Sequence, residues 1–156
     1  MAAEFEIWTH LFLKGEYGSR ERILSGLTKE MAEKRPAGTM HNIYEELWHM
    51  TKWQNIVVNS SQEEYEKWMA NDDSIFPQQP LASQEELDEL KRDFLAGLEK
   101  AVSITKSPES MAVVLEGSYT VKDNLLSLAV HNAYHLGKIV AIRQAIGSWP
   151  PEEFVH

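Results

Sequence analysis

Two histidines lie four residues apart in the stretch HNAYHLGKIVAIRQAIG, which begins at His131. Four residues advance an α-helix by about 400°, so His131 and His135 lie on one face, about 40° apart and one turn above each other. The two rings can therefore bind one metal ion. Spacing alone leaves a second interpretation open, in which both rings form hydrogen bonds inside a structural bundle and bind nothing.

A third histidine, His49, lies in the middle of another helical stretch, at a similar distance from the ends of the predicted bundle. The chain has no cysteine, so only His, Asp and Glu side chains are left to bind a metal. Three neutral imidazoles with one open position are the ligand set of a catalytic zinc-type site, where the ion lowers the pKa of a bound water to about 7. The three histidines are therefore the predicted ligands of one divalent ion per chain.

Two known metal motifs do not match the histidines. The HExxH motif of metalloproteases needs a glutamate after the first histidine, and Asn132 stands there. A di-iron bundle needs two Glu-x-x-His pairs; Glu46 and His49 form one, but Leu128 replaces the glutamate before His131. Neither site type is expected. The predicted site is therefore one ion with three histidines and an exchangeable water, and no catalytic side chain is assigned.

Several side chains near the three histidines are considered for other roles at the site. Glu45 or Glu46 is expected to accept the second ring proton of a ligating histidine. On a regular helix His41 lies about 12 Å from His49, too far to share the ion, and His10 is expected to pack within helix 1. Four further residues are candidates for the pocket lining only because they neighbour the ligands: Trp48, Trp53, Asn132 and Tyr134.

Apolar residues recur every three or four positions in four stretches, which predicts four helices, at residues 4–27, 40–60, 82–107 and 120–147. About twenty residues, 61–82, connect the second helix to the third, which is long for neighbours in a bundle. The sequence therefore predicts an all-α four-helix bundle with a long crossover between helices 2 and 3.

The N-terminal ends of two predicted helices carry capping signals, at Ser83 and Thr120. Residues 107–119 are interpreted as a connection with a short extended piece around residues 113–115. Gly137 is expected to serve close helix packing, because a glycine inside a helix costs about 1 kcal/mol relative to alanine.

Composition limits the class of protein. With 156 residues, 43% of them hydrophobic, the chain is expected to form a single domain over residues 1–156. A net charge of −9 would repel a phosphate backbone, so no nucleic-acid partner is expected. No stretch approaches the roughly 20 apolar residues of a membrane span, and Glu4 and Glu6 stand where a signal peptide would be basic. We therefore expect a soluble, cytoplasmic protein with no membrane partner.

The pattern YEELWHMTKWQ, followed some eighty residues later by HNAYHLGKIVAIRQAIG, resembles the DinB/YfiT-like four-helix bundles over nearly the whole chain. The family pattern in the last helix is matched at six positions: His131, His135, Gly137, Ile139, Arg143 and Gly147. The resemblance implies that His49, His131 and His135 form the metal triad. It also implies a zinc or nickel ion, frequent homodimers, and transfer of a thiol such as bacillithiol or mycothiol to an electrophile, or a related isomerisation.

These observations lead to a first functional hypothesis, a metal-dependent enzyme that acts on a small-molecule thiol and an electrophile, with thiol transfer ahead of metal-dependent hydrolysis. The alternative is a noncatalytic metal or ligand sensor that binds a partner, which the lack of a visible acid or base residue suggests.

Overall fold

Helices make up most of the described chain. The computed structural model describes residues 2–17, 19–70 and 75–154, and within them the chain is all-α apart from one small hairpin. The described elements, in chain order, are α1 (Ala2–Thr9), α2 (Arg20–Leu24), α3 (Lys29–Glu33), α4 (Ile43–Asn59), α5 (Gln62–Ala70), α6 (Gln84–Ile104), α7 (Pro108–Met111), β1 (Val114–Glu116), β2 (Tyr119–Thr120) and α8 (Val121–Ala145). The predicted bundle is confirmed, with α5 inside the long crossover between α4 and α6.

The first predicted helix, residues 4–27, is broken in the structure. The chain continues from α1 into a π-helical turn at His10–Lys14, which ends where Gly15 takes a left-handed φ of 64°. A Cβ on Gly15 would lie 2.5 Å from the guanidinium carbon of Arg20. Ser19 then caps α2 with its hydroxyl. The prediction of one continuous helix is wrong here, because a residue with a positive φ cannot continue a right-handed helix.

The other three predicted helices are present, and side-chain caps fix where they begin. The side chain of Asn42 accepts from the N–H of Glu45 at 2.9 Å, and the carboxylate of Glu45 accepts from the N–H of Asn42 at 2.9 Å. Thr120 and Asp123 cap α8 in the same reciprocal way, and Ser83 caps α6. Each cap satisfies N–H groups that have no partner inside the first turn of the helix.

The core lies where α4 packs against both α6 and α8. The face of α4 that forms this core has three fully buried apolar side chains: Ile43, Leu47 and Met50. Gln54 lies on the same face and donates from Nε2 to the carbonyl oxygen of Phe94 in α6, at 2.8 Å. A Cβ on Gly97 would lie 2.2 Å from that nitrogen, so α6 needs a glycine where it passes Gln54.

Both long connections contain secondary structure. The crossover holds the nine-residue helix α5. Between α6 and α8, α7 is followed by an antiparallel hairpin formed by β1 and β2. The extended piece expected near residues 113–115 is found one residue further on, at Val114–Glu116.

α8 is the longest and one of the most apolar helices. By length and composition alone, this helix of 25 residues, whose most apolar 18-residue window has a mean hydropathy of 1.2, could cross a membrane. A core helix of a soluble protein has the same properties, and half of the most apolar part of α8 is buried inside the structure. The expectation that the chain has no membrane partner therefore stays a prediction.

Candidate metal centre

The three predicted ligands meet between α4 and α8. Each of His49, His131 and His135 offers one ring nitrogen to a common space, and these nitrogens all lie within 4.8 Å of one another. The Nε2 atoms of His49 and His131 are 3.1 Å apart. His49 and His135 are buried and His131 is half-buried, so the group is largely screened from water.

The backbone of the crossover holds the His49 ring. Its Nδ1–H donates to the carbonyl oxygen of Ile75 at 2.8 Å. Because a carbonyl can only accept, this bond requires the proton on Nδ1 and leaves a lone pair on Nε2, which faces the other rings. Burial lowers the pKa of His49. The ring is therefore neutral at physiological pH, as a metal ligand must be.

A buried carboxylate holds the His135 ring. Glu46 is 0% exposed, and its Oε2 accepts from Nδ1 of His135 at 2.5 Å. Its other oxygen, Oε1, forms an ion pair with Lys138 and lies 3.3 Å from Nδ1 of His41. Three nitrogen-bearing side chains thus share the carboxylate of Glu46.

Glu46 is ionised at neutral pH. Burial raises its pKa, but the hydrogen bonds from His135 and Lys138, together with their charges, outweigh burial and lower the pKa to about 2. A carboxylate in this state accepts hydrogen bonds and has no proton to donate. An acceptor at Nδ1 holds the ring proton there, leaves the lone pair on Nε2 of His135 and fixes the orientation of the ring, as carboxylates beside metal sites do.

His131 is held differently from the other two. Burial lowers its pKa to about 3, with smaller contributions from His135 and His49, and the side chain of Asn132 opposes the fall. Within the described chain, Nδ1 of His131 and Oδ1 of Asn132 are buried without an aligned hydrogen-bond partner. Asn132 donates from Nδ2 to Oε1 of Gln54 at 2.9 Å, which links α8 to the α4–α6 contact.

This donor set fits a divalent ion of the zinc class. The rings of His49 and His131 are neutral, and those of His49 and His135 have their outer nitrogen held by an acceptor, which is how proteins orient such ligands. Binding through Nε2 of His131 requires a proton on Nδ1, and the unpaired oxygen of Asn132 is a neighbouring acceptor for it. Imidazole suits zinc, nickel, copper and iron alike, so the ligands indicate a class of ions.

Aromatic rings surround the three imidazoles. Four of them have centroids within 6.2 Å of a histidine ring: Trp53, Trp68, Phe76 and Tyr134. Phe76, which comes from the crossover, stacks on His49 at 4.6 Å and on His41 at 3.7 Å. The space beside the ligands is therefore mainly apolar, and two tryptophans lie close enough to report on what binds there.

The side chains predicted to lie near the metal ligands have different positions in the structure. Of the two glutamates, Glu46 reaches the site, whereas Glu45 caps α4 and pairs with Arg35 at 2.6 Å. His41 precedes α4 instead of lying on it, so the helical distance expected for it does not apply; it reaches Glu46 and is not part of the three-histidine group. His10 is exposed in the π-helical turn.

Two contributors to the site were not expected, Lys138 and the carbonyl of Ile75, and a third, Phe76, was expected only as a packed residue of the crossover. Lys138 follows His135 by three residues, so helical spacing could have placed it on the same face. The other two belong to the crossover, which has no helical period to follow. The expectation for Gly137 is wrong within this chain, because nothing lies within 4 Å of a Cβ built there. The role of the three histidines as metal ligands stays a prediction.

Comparison with known proteins identifies the family of this chain. The family model described as the DinB superfamily matches residues 18–139, which is most of the chain and includes all three histidines. No curated protein and no solved structure gives a significant match.

Proposed function

This chain belongs to the DinB superfamily, and we propose that it is a divalent-metal-dependent enzyme that transfers a low-molecular-weight thiol of the bacillithiol type to an electrophile. The observation that carries the proposal is the convergence of His49, His131 and His135, whose ligand nitrogens lie within 4.8 Å of one another. We assign to this group one ion per chain, zinc or nickel.

The chain's own residues keep the ligands ready for an ion. The Ile75 carbonyl and the Glu46 carboxylate orient His49 and His135, and burial keeps His49 and His131 neutral. When bound, the ion supplies Lewis acidity, which lowers the pKa of a thiol or water that it binds. The aromatic rings around the group limit the access of bulk water to that position.

The titratable groups of the site favour thiol transfer over hydrolysis. Attack by water is helped by a general base that takes a proton. Glu46 is the carboxylate in contact with the described site, and its pKa of about 2 and its bonds to His135 and Lys138 make it a poor base. A thiol has a pKa of about 8.5, against about 15.7 for water, so it ionises with less help. The thiol proton then passes to solvent, the sulfur bonds to the electrophilic carbon, and the bond from that carbon to the leaving group breaks, with its electron pair going to the leaving group.

A noncatalytic metal sensor is the second candidate. The engagement of Glu46 by His135, Lys138 and His41 favours it, because a carboxylate used in this way holds a ligand and moves no proton. A sensor binds the ion with the same three histidines but converts no substrate. Turnover therefore separates the two candidates.

The metal content of protein purified without an affinity tag tests the site. We expect about one divalent ion per chain by mass spectrometry of the metals. His135→Ala should lose most of it, because two imidazoles alone bind a divalent ion weakly. His10→Ala is the matched control, since His10 is exposed and outside the site. Unchanged metal content in His135→Ala would contradict the assignment.

The reaction is tested with a panel of small thiols and a bimane-type fluorogenic electrophile. The metal-loaded protein is expected to form the thioether with at least one thiol, and metal removal or His135→Ala should abolish this activity. His10→Ala should retain it. Metal binding without turnover of any thiol in the panel would favour the sensor.

We also infer that the chain pairs with a second copy and works in the cytoplasm. Seven of the twelve exposed large apolar side chains in the described chain fall between residues 113 and 134. An exposed apolar surface of this kind is typical of a protein interface. The absence of cysteine from the sequence fits a reducing compartment. The net charge of −9 argues against a nucleic-acid partner, because it would repel a phosphate backbone.

A further inference from the structure

A second concave surface lies beside the metal centre, in the groove between α4 and α5. Its volume is 840 Å³, within the range of roughly 300–1,000 Å³ that small-molecule sites occupy. Lys52, in the groove, lies three residues after His49, about 60° round the helix. Trp68 of α5 lines the groove and also lies 5.3 Å from the His49 ring. The indole of Trp68 therefore borders both the groove and the candidate ligands.

The groove combines a large apolar surface with polar and charged side chains, which include Lys52, Glu64 and Lys67. Its largest side chains are the indoles of Trp48 and Trp68, from the two helices, and Ile56 adds an aliphatic surface. Indole rings contribute large apolar areas and prefer to contact other flat rings in offset or edge-on arrangements. An aromatic or other flat apolar body is therefore favoured over a branched polar one.

Lys52 is a cation of the groove that no carboxylate of the described residues neutralises. Nζ of Lys52 lies over the Trp48 ring, 5.4 Å from its centroid, and among the described residues no carboxylate lies within ion-pair distance of it. Lys67, on the opposite side, is paired with Glu63 at 2.8 Å and with Glu64 at 3.1 Å. The ammonium of Lys52, beside an indole surface, is therefore an attachment point for the anionic group of a ligand.

We propose that the α4–α5 groove binds an organic anion with a flat apolar body, with the body against Trp48 and Trp68 and the anionic group at Lys52. Such a ligand lies against the Trp68 indole, which also borders the His49 ring. The proposal that the groove binds this anion depends only on the groove and not on the proposed enzyme activity. The assignment of this ligand as the electrophilic substrate rests on the proposed function.

Fluorescence titration of the metal-free, full-length protein tests the groove. The probes are 8-anilinonaphthalene-1-sulfonate, a flat organic anion, and N-phenyl-1-naphthylamine, its uncharged counterpart. Lys52→Gln should weaken binding of the anion about two- to fivefold, as expected for a partly exposed ion pair, and leave the neutral probe unchanged. Trp48→Ala should weaken both probes about tenfold.

Three controls locate the probe. Lys122→Gln removes an exposed lysine that is paired with Glu4 on another surface, and it should leave both affinities unchanged. Val130→Ser alters the exposed apolar face of α8 and should also have no effect. His135→Ala should keep probe binding even if it loses the metal, so failure of the metal site and failure of the groove are distinguishable.

The proposal is overturned if Lys52→Gln and Trp48→Ala bind the anion as the wild type does, or if Val130→Ser or His135→Ala removes its binding. Circular dichroism of each variant checks that the fold is kept. If Trp48→Ala does not fold, the exposed change Lys52→Gln and the comparison of the two probes still decide the outcome.

Discussion

Glu46 is the residue that connects most of the candidate metal centre. It is fully buried, it accepts from His135, it forms an ion pair with Lys138, and it lies 3.3 Å from Nδ1 of His41. Breaking a buried ion pair by removing one partner is costly, because the remaining charge is left uncompensated. The position of His135 therefore depends on a charge that lies outside the set of ligands.

Replacing Glu46 by Gln should weaken metal binding by about 10- to 100-fold, the usual effect of losing a carboxylate behind a ligating histidine. The affinity can be measured by titrating nickel into metal-free protein and following the quenching of tryptophan fluorescence, since Trp53 and Trp68 lie near the histidines.

Glu45→Gln is the matched control for this prediction. Glu45 is the adjacent carboxylate, but it caps α4, so its loss should reduce the free energy of unfolding and leave nickel affinity unchanged. Equal nickel affinities for Glu46→Gln and the wild type would contradict the role assigned to Glu46.

The candidate site was predictable in part at this scale. The spacing of His131 and His135, and the central position of His49, predict their convergence. The sequence also allows Glu46 to be preferred over Glu45 as the partner of a histidine. Asn42 and Glu45 stand at capping-box spacing, which assigns Glu45 to the end of the helix. The contacts of Ile75 and Phe76 depend on the path of the crossover, which sequence periodicity does not describe.

At the scale of the elements, two glycines inside helices have opposite surroundings. Gly97 in α6 faces Gln54 of α4, with a Cβ-to-Nε2 distance of 2.2 Å if a Cβ were added. Gly137 in α8 is exposed, and nothing lies within 4 Å of its added Cβ. One glycine therefore permits the contact of two helices, and the other only weakens its own helix.

Gly97→Ala should lower the free energy of unfolding by about 1–3 kcal/mol, because the new methyl displaces the buried Gln54 side chain and its bond to Phe94. Gly137→Ala should raise it by up to about 1 kcal/mol, through helix propensity alone. Urea denaturation of the two variants at the same protein concentration measures both. A loss of stability in Gly137→Ala as large as that in Gly97→Ala would refute this account.

The elements were predictable where periodicity and caps agree. α4, α6 and α8 have regular apolar faces, and the structure confirms these helices and the predicted caps at Ser83 and Thr120. The break in the first helix depends on Gly15 taking a left-handed conformation, which a glycine allows but does not require. The sequence alone therefore could not separate a weakened helix from two helices.

At the scale of the whole molecule, charge and apolar surface are separated. The net charge is −9, yet every exposed residue of α8 from 126 to 137 is uncharged. Leu126, Val130 and Tyr134 lie along this face, and the exposed hairpin joins it where the Tyr119 hydroxyl meets Ser127 at 2.8 Å. A two-fold symmetric interface uses the same surface of both copies. Two acidic copies can therefore meet on this uncharged face without burying a charge.

The wild-type protein is expected to have twice the mass of one chain in sedimentation equilibrium. Val130→Glu should shift it to the monomer, because two new carboxylates would be buried near each other. Met40→Glu is the matched control, as Met40 is 81% exposed and lies outside the α8 face. A monomeric wild type, or a dimer that survives Val130→Glu, would exclude this interface.

The hydrogen bond from His49 to the carbonyl of Ile75 has a consequence for how this site could be studied by mutation. A main-chain oxygen is present whatever side chain stands at that position, so an alanine scan would pass over this support, and so would a search for invariant residues among relatives. An insertion or deletion in the crossover would reveal it, because changing the number of residues moves the carbonyl away from the ring.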